Sequence, residues 1–192
     1  SIPLSDTLLK FRRSFPGYTG NFLQQSTEFL VSSIVIKGNK KTRNDIILRE
    51  IPFRAGEQYS LQDLLALFEI AEQQLMNTAL FHSVKLFASG FDGNCLEITA
   101  EVVERWYLFP IPYFKLVDRN FNQWLVDQRA DLDRVNYGIK LMYNNVTGHN
   151  DKLRVWLING YTRQFTISYE KPFIDRAMRW GFRLATSTGQ AK

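Results

Sequence analysis

The sequence predicts an α+β domain of order β-α-α-β-β, followed by antiparallel strands of an incomplete membrane β-barrel. Three observations predict it. Between residues 29 and 107 the apolar residues alternate with period two, then follow a helical period, then alternate again. From Asn120 onward no helical period appears. The strands of that second half run about nine residues, close to the length a membrane barrel strand needs.

Residues 1–28 read as an irregular lead-in, punctuated by Pro3, Pro16, Gly17 and Gly20, with one short helix around Ser5–Arg13. Leu30, Ile34 and Ile36 alternate with Val31, Ser33, Val35 and Lys37, which makes a strand ended by Gly38-Asn39. Thr42 then caps a helix, with Asp45 three residues on, and that helix stops near Ile51, before Pro52. Ser60 opens a second helix, with Asp63 in the matching place. Its apolar residues Leu61, Leu64, Leu65, Phe68, Ala71, Leu75 and Ala79 make one stripe, the face that packs on a sheet. Ser83 to Ser89 is a second strand. Gly90-Phe-Asp-Gly-Asn has hairpin chemistry. In the third strand Leu96, Ile98, Ala100 and Val102 face the helices, while Glu97, Thr99, Glu101 and Val103 face water.

At Trp106 the character changes. Trp-Tyr-Leu-Phe-Pro-Ile-Pro-Tyr-Phe holds two prolines two residues apart, which resists regular pairing. Residues 108–119 therefore read as a rigid Pro/aromatic connector. Beyond it, Val135, Tyr137, Ile139, Leu141 and Tyr143 share a face, with Asn136, Gly138, Lys140 and Met142 opposite. Leu153, Val155 and Leu157 repeat the pattern less cleanly, because Trp156 and Ile158 sit across from them. Phe165, Ile167 and Tyr169 form the next strand, and Met178, Trp180, Phe182 and Leu184 the last. A soluble β-sandwich would alternate in a similar way. The inward Gly, Lys, Arg, Thr, Ser and Glu favour a barrel, because a sandwich interior tolerates few charges.

Residues 1–104 carry 10 Lys/Arg against 12 Asp/Glu, whereas residues 105–192 carry 14 against 7. The basic second half fits a solvated surface, anionic lipid head groups or a basic lumen. Nucleic acid fits least, since no helix-turn-helix, zinc finger or stacking signature occurs. One cysteine, Cys95, excludes an intrachain disulfide. No run of about 18 apolar residues forms a transmembrane helix.

The chain holds no catalytic motif. It lacks a phosphate loop, His-Glu-x-x-His and Gly-x-Ser-x-Gly. His82, His149 and Cys95 have no metal-ligand spacing. Glu97 and Glu101 share a strand face but stand roughly 13 Å apart at strand rise, too far for a catalytic carboxylate pair. The expectation is therefore a non-enzyme without cofactor or metal.

Residues 29–107, with Ile34-Val-Ile-Lys-Gly-Asn-Lys-Lys-Thr-Arg and Leu75-Met-Asn-Thr-Ala-Leu-Phe-His-Ser-Val, resemble a POTRA domain. The second half is similar to the POTRA-to-barrel junction and first strands of BamA-type outer-membrane assembly factors, the surface antigen family of Bacteroidota in particular. The matching stretches are Glu104-Arg-Trp-Tyr-Leu-Phe-Pro-Ile-Pro-Tyr-Phe, Asp118-Arg-Asn-Phe-Asn, Arg134-Val-Asn-Tyr-Gly, Gly160-Tyr-Thr-Arg and Tyr169-Glu-Lys-Pro-Phe-Ile-Asp. The family's Val-Arg-Gly-Tyr-like lumen motif is absent, and about five candidate strands cannot close a barrel of 8 or more. The expectation is a piece of a longer barrel.

The resemblance implies a bacterial outer-membrane protein with residues 29–107 in the periplasm. Its implied partners are unfolded outer-membrane protein precursors, outer-membrane lipid and accessory lipoproteins, with no nucleic acid. It also implies strand capture at an edge strand, here Ser83, Val84, Lys85, Leu86, Phe87 and Ala88. A first barrel strand at Asn120, Phe121, Asn122, Gln123, Trp124, Leu125 and Val126 would form one side of a lateral gate. Two alternatives stay open. One is the POTRA-barrel portion of an export protein or of a patatin-type lipase, whose Gly-x-Ser-x-Gly would lie before Ser1. The other is a soluble periplasmic adaptor.

Overall fold

The computed structural model describes residues 12–16, 28–117, 122–127, 129, 134–173 and 179–191. The chain divides into two compact units, Ser1–Arg105 and Trp106–Lys192.

The first unit contains strands β1 (Glu28–Lys37), β2 (Gln58–Ser60), β3 (Phe81–Asp92) and β4 (Cys95–Glu104), with helices α1 (Asn44–Arg49) and α2 (Leu61–Asn77). The strands form one sheet in the order β2-β1-β4-β3. β4 runs parallel to β1 and antiparallel to β3, so it is an inner strand. The sheet has four strands where the sequence predicts three. Gln58-Tyr-Ser is too short for a period to show.

Helix α2 starts where Ser60 predicts. Its hydroxyl oxygen accepts the Asp63 N–H at 3.2 Å. Leu64, Phe68, Ala71 and Leu75 are buried, as are Leu96, Ile98, Ala100 and Val102 of β4. Those four residues of the predicted stripe and the predicted apolar face of β4 are thus core. Leu61 and Leu65 are half-buried, and Ala79 lies exposed beyond the end of α2. Thr99, expected to face water, is buried and donates to the Ser89 hydroxyl at 2.8 Å. The lead-in adds to it. Arg12–Ser14 make one helical turn, and Phe15 is buried, stacked on Phe68 with ring centroids 5.6 Å apart. The rest of the predicted Ser5–Arg13 helix lies outside the described residues.

Helix α1 departs from expectation. Its N-cap is Arg43, which makes no side-chain cap, and it ends at Arg49. Thr42 is drawn away by Glu104. That carboxylate accepts the Thr42 N–H at 2.6 Å and the Lys41 N–H at 3.1 Å. It thereby pins the loop after β1 to the end of β4. Gly38 permits the sharp exit from β1. Its φ is +89°, and a Cβ there would lie 2.0 Å from the Val102 carbonyl oxygen.

The second unit is a five-stranded antiparallel sheet, β5 (Leu108–Leu116), β6 (Val135–Asn144), β7 (Lys152–Gly160), β8 (Thr162–Lys171) and β9 (Phe182–Ala191), in sequence order. Trp106 and Tyr107, predicted with the first domain, belong here. The Tyr107 carbonyl accepts the Asn144 N–H at 2.9 Å. The predicted connector is a strand, β5, which pairs with β6 along its whole length. Residues 118 and 119 lie outside the described residues. The last strand begins at Phe182 rather than near Met178, which also lies outside the described residues. Trp180 precedes the strand and is exposed.

The turn between β6 and β7 is held by Asp151, which is buried. Its carboxylate accepts the Thr147 N–H at 2.9 Å and the Tyr169 hydroxyl at 2.8 Å. His149 is within 3.1 Å of the Thr147 hydroxyl.

Glu104 generates a pH prediction. Burial opposes its charge, but hydrogen bonds from Thr42, Lys41 and Lys40 outweigh burial and hold its carboxyl below the usual value. A lowered folded-state pKa means stability that is present above about pH 4.3 and lost as pH falls through the folded value. Glu104→Gln should lower stability at pH 7 by about 1–2 kcal/mol. The gap to the native chain should close towards pH 3, read as urea midpoints at both pH values.

Candidate functional site

The candidate site is a pair of open sheet edges, one in each unit. In the first unit β3 is the edge of its sheet, and among the described residues no strand pairs with its outer side. The β3–β4 register slips between Phe81 and Ser83, and again between Ala88 and Gly90. The longest unbroken run of pairing is thus residues 83–88, with a shorter run over Gly90–Asp92 beyond the second slip. Side chains and backbone bonds alternate together along a strand. Val84, Leu86 and Ala88 are buried towards the helices, and the Leu86 N–H points outward. It donates to Glu72 Oε1 of α2 at 2.9 Å. A carboxylate from the helix therefore occupies the central donor of the edge. Beside it lies an open groove of about 420 Å³, lined among others by Glu69, Glu72, Met76, His82, Val84 and Lys85.

In the second unit the register sorts every strand residue onto one of two faces. One face carries Leu108, Phe114, Ile139, Leu141, Val155, Leu157, Phe165, Ile167 and Leu184. Tyr137 lies towards one end of this band, and Tyr143 and Tyr169 towards the other. Of these, Phe114 and Leu184 are exposed by 60% and 66%, so the band is a bare apolar surface. The opposite face holds Lys115, Lys140, Lys152, Arg154, Glu170 and Arg183, whereas Arg163 and Lys171 sit at the two ends of β8 on the apolar face. Glu170 pairs with Arg183 at 2.7 Å and with Arg154 at 3.7 Å. The Lys140 ammonium stands 4.2 Å from the Tyr113 ring centroid and 4.6 Å from that of Trp156. Trp156 breaks the sequence alternation because it serves Lys140 on the polar face.

Of the predicted gate strand at 120–126, the described residues 122–126 form no strand. Asn120 and Phe121 lie outside the described residues, and Gln123–Asp127 form a π-helical turn. Trp124 of that turn is buried and meets the Phe114 ring edge-on, with centroids 6.4 Å apart. The outermost strands of this sheet are β5, which precedes the π-helical turn, and β9; the candidate edge is that of β5. The outer side of β5 pairs with no strand among the described residues.

Residues 29–105 match the family model described as "POTRA: Surface antigen variable number repeat". This part of the chain is a POTRA domain. No curated protein matches the chain in sequence. Among solved structures, BamA from Haemophilus ducreyi lacking POTRA domains 1–3 matches with TM-score 0.56 and 15% identity, over 83% of this chain and 27% of that one. CdiB from Acinetobacter baumannii matches with TM-score 0.45 and 16% identity, over 76% and 26%. The chain thus spans about a quarter of the length of these structures. Its fold is that of a POTRA domain followed by an antiparallel sheet like part of the BamA barrel.

The Glu72 contact is testable on the POTRA edge. In Glu72→Ala the Leu86 amide should exchange with solvent at least about tenfold faster. Stability should fall by less than about 1.5 kcal/mol, since one partly exposed hydrogen bond is lost. Amide exchange resolved by residue, together with a urea titration, checks both.

Proposed function

We propose that this chain is part of an outer-membrane β-barrel assembly factor, which captures unfolded barrel precursors by strand addition and templates their insertion. The observation that carries the reading is the two-faced second sheet. A sheet with a bare apolar band on one face and paired charges on the other is a wall between lipid and a wet lumen. Tyrosines near both ends of the band fit the head-group levels. Five strands cannot close such a wall alone, so they are part of a larger barrel.

In this reading the POTRA domain lies in the periplasm and its β3 edge meets the precursor first. Exposed backbone donors and acceptors give affinity, and the groove beside α2 takes alternate side chains. Lipid contacts the apolar band. Accessory lipoproteins would meet the outer surfaces of the POTRA domain. The work is binding and release, with no covalent step. β5 takes the place of the gate strand, since it is the first strand of the barrel sheet and lies at its edge.

An antibody against residues 29–107, used on fractionated source cells with heated and unheated samples, tests this. The expected band lies in the outer membrane, well above 22.4 kDa, and shifts on heating. Depletion should then lower the level of other barrel proteins severalfold. A soluble band at 22.4 kDa with no heat shift would sink the reading and leave a periplasmic binding module.

A further inference from the structure

The bonds along β5, taken with the barrel reading above, specify how its open edge can be used. The Asn144 N–H donates to the Tyr107 carbonyl at 2.9 Å, and the Val117 N–H to the Arg134 carbonyl at 3.1 Å. The register runs from Leu108↔Tyr143 to Leu116↔Val135. Antiparallel partners exchange bonds at every second residue. Odd-numbered residues from 107 to 117 therefore bond to β6. Even-numbered residues turn their N–H and C=O to the outer edge.

Pro110 and Pro112 are both even-numbered. Neither deprives β6 of a bond, and both remove a donor from the outer edge. Leu108 faces outward as well, and its carbonyl accepts the indole N–H of Trp106. The near end of the edge is thus occupied by a side chain, and the middle has carbonyls without donors. Phe114 and Leu116 alone among the outward residues offer both an N–H and a carbonyl to a partner strand.

We propose that β5 receives a transmembrane β-strand of the client through Phe114 and Leu116 only, and that residues 106–112 refuse it. The partner is an extended segment whose apolar side chains continue the face of Leu108, Phe114 and Leu116. Opposite Pro110 and Pro112 its carbonyls would find no donor, and hydrocarbon supplies none. A strand held at one end of β5 by so few bonds is held long enough to align and is then released.

The test uses the 192-residue chain in dodecylmaltoside micelles and a fluorescein-labelled peptide with the sequence of residues 135–144. β5 already pairs with that strand on its inner side. Anisotropy titrations should show Pro110→Val/Pro112→Val binding the peptide about tenfold more tightly than the native chain. Phe114→Pro should bind at least threefold more weakly. A gain below threefold for the double variant, or native-like binding by Phe114→Pro, overturns the proposal. Circular dichroism of Phe114→Pro against Tyr113→Pro guards the assignment of sides. Tyr113 bonds to β6, so its proline variant should lose strand signal while Phe114→Pro keeps it. Equal loss in both also overturns the proposal. If the chain does not enter micelles, the barrel reading fails, and the same titration in water still decides the edge.

Discussion

Backbone amides and carbonyls demand partners, and a sheet with two ends always leaves two rows of them unserved. In water the rows are tolerable, and in hydrocarbon they are not. Most of this chain is arranged around that demand. In its first sheet Glu72 of α2 caps one donor of the β3 edge, and its second sheet ends in β5 and β9. The POTRA core, made of Leu64, Phe68, Ala71 and Leu75 against Leu96, Ile98, Ala100 and Val102, anchors the sheet that carries the β3 edge.

The two edges meet the same demand by different chemistry. On β3 a side chain supplies the missing partner, because Glu72 accepts the Leu86 N–H. Such a cap is reversible, since a competing carbonyl can take the same donor. On β5 the donor is deleted outright at two positions, and no competitor can restore it. A reversible cap suits a surface in water, where the displaced carboxylate is rehydrated. In the proposed barrel, deletion would suit an edge within lipid, where an uncapped N–H would have nothing to turn to.

Much of the POTRA domain is legible in the sequence, because its signals are local. Ser60 and Asp63 mark the start of α2, and the stripe from Leu64 to Leu75 marks its buried face. The start of helix α1 is not legible in the sequence, because Thr42 looks like a cap. It is instead drawn to Glu104, 62 residues away, a partner no local pattern reveals. The buried Phe15 is lost to sequence reasoning in the same way, as its partners Phe68 and Phe91 are far along the chain. β5 is hidden from the sequence for another reason. Two prolines argue against an inner strand, yet they are harmless on an edge when both point outward. Side and parity exist only once the partner strand is known. The extent of the last strand is hidden because Ala185-Thr-Ser-Thr-Gly-Gln has little apolar contrast.

The register slips that flank residues 83–88 limit more than pairing with β4. A slip turns the following residue to the other side and ends the commensurate stretch. A second strand laid along β3 stays in step for six residues, about 20 Å at strand rise. Beyond either slip its side chains would fall on the wrong face. In the proposed role β3 would be a gauge block, reading the length of a segment rather than its sequence.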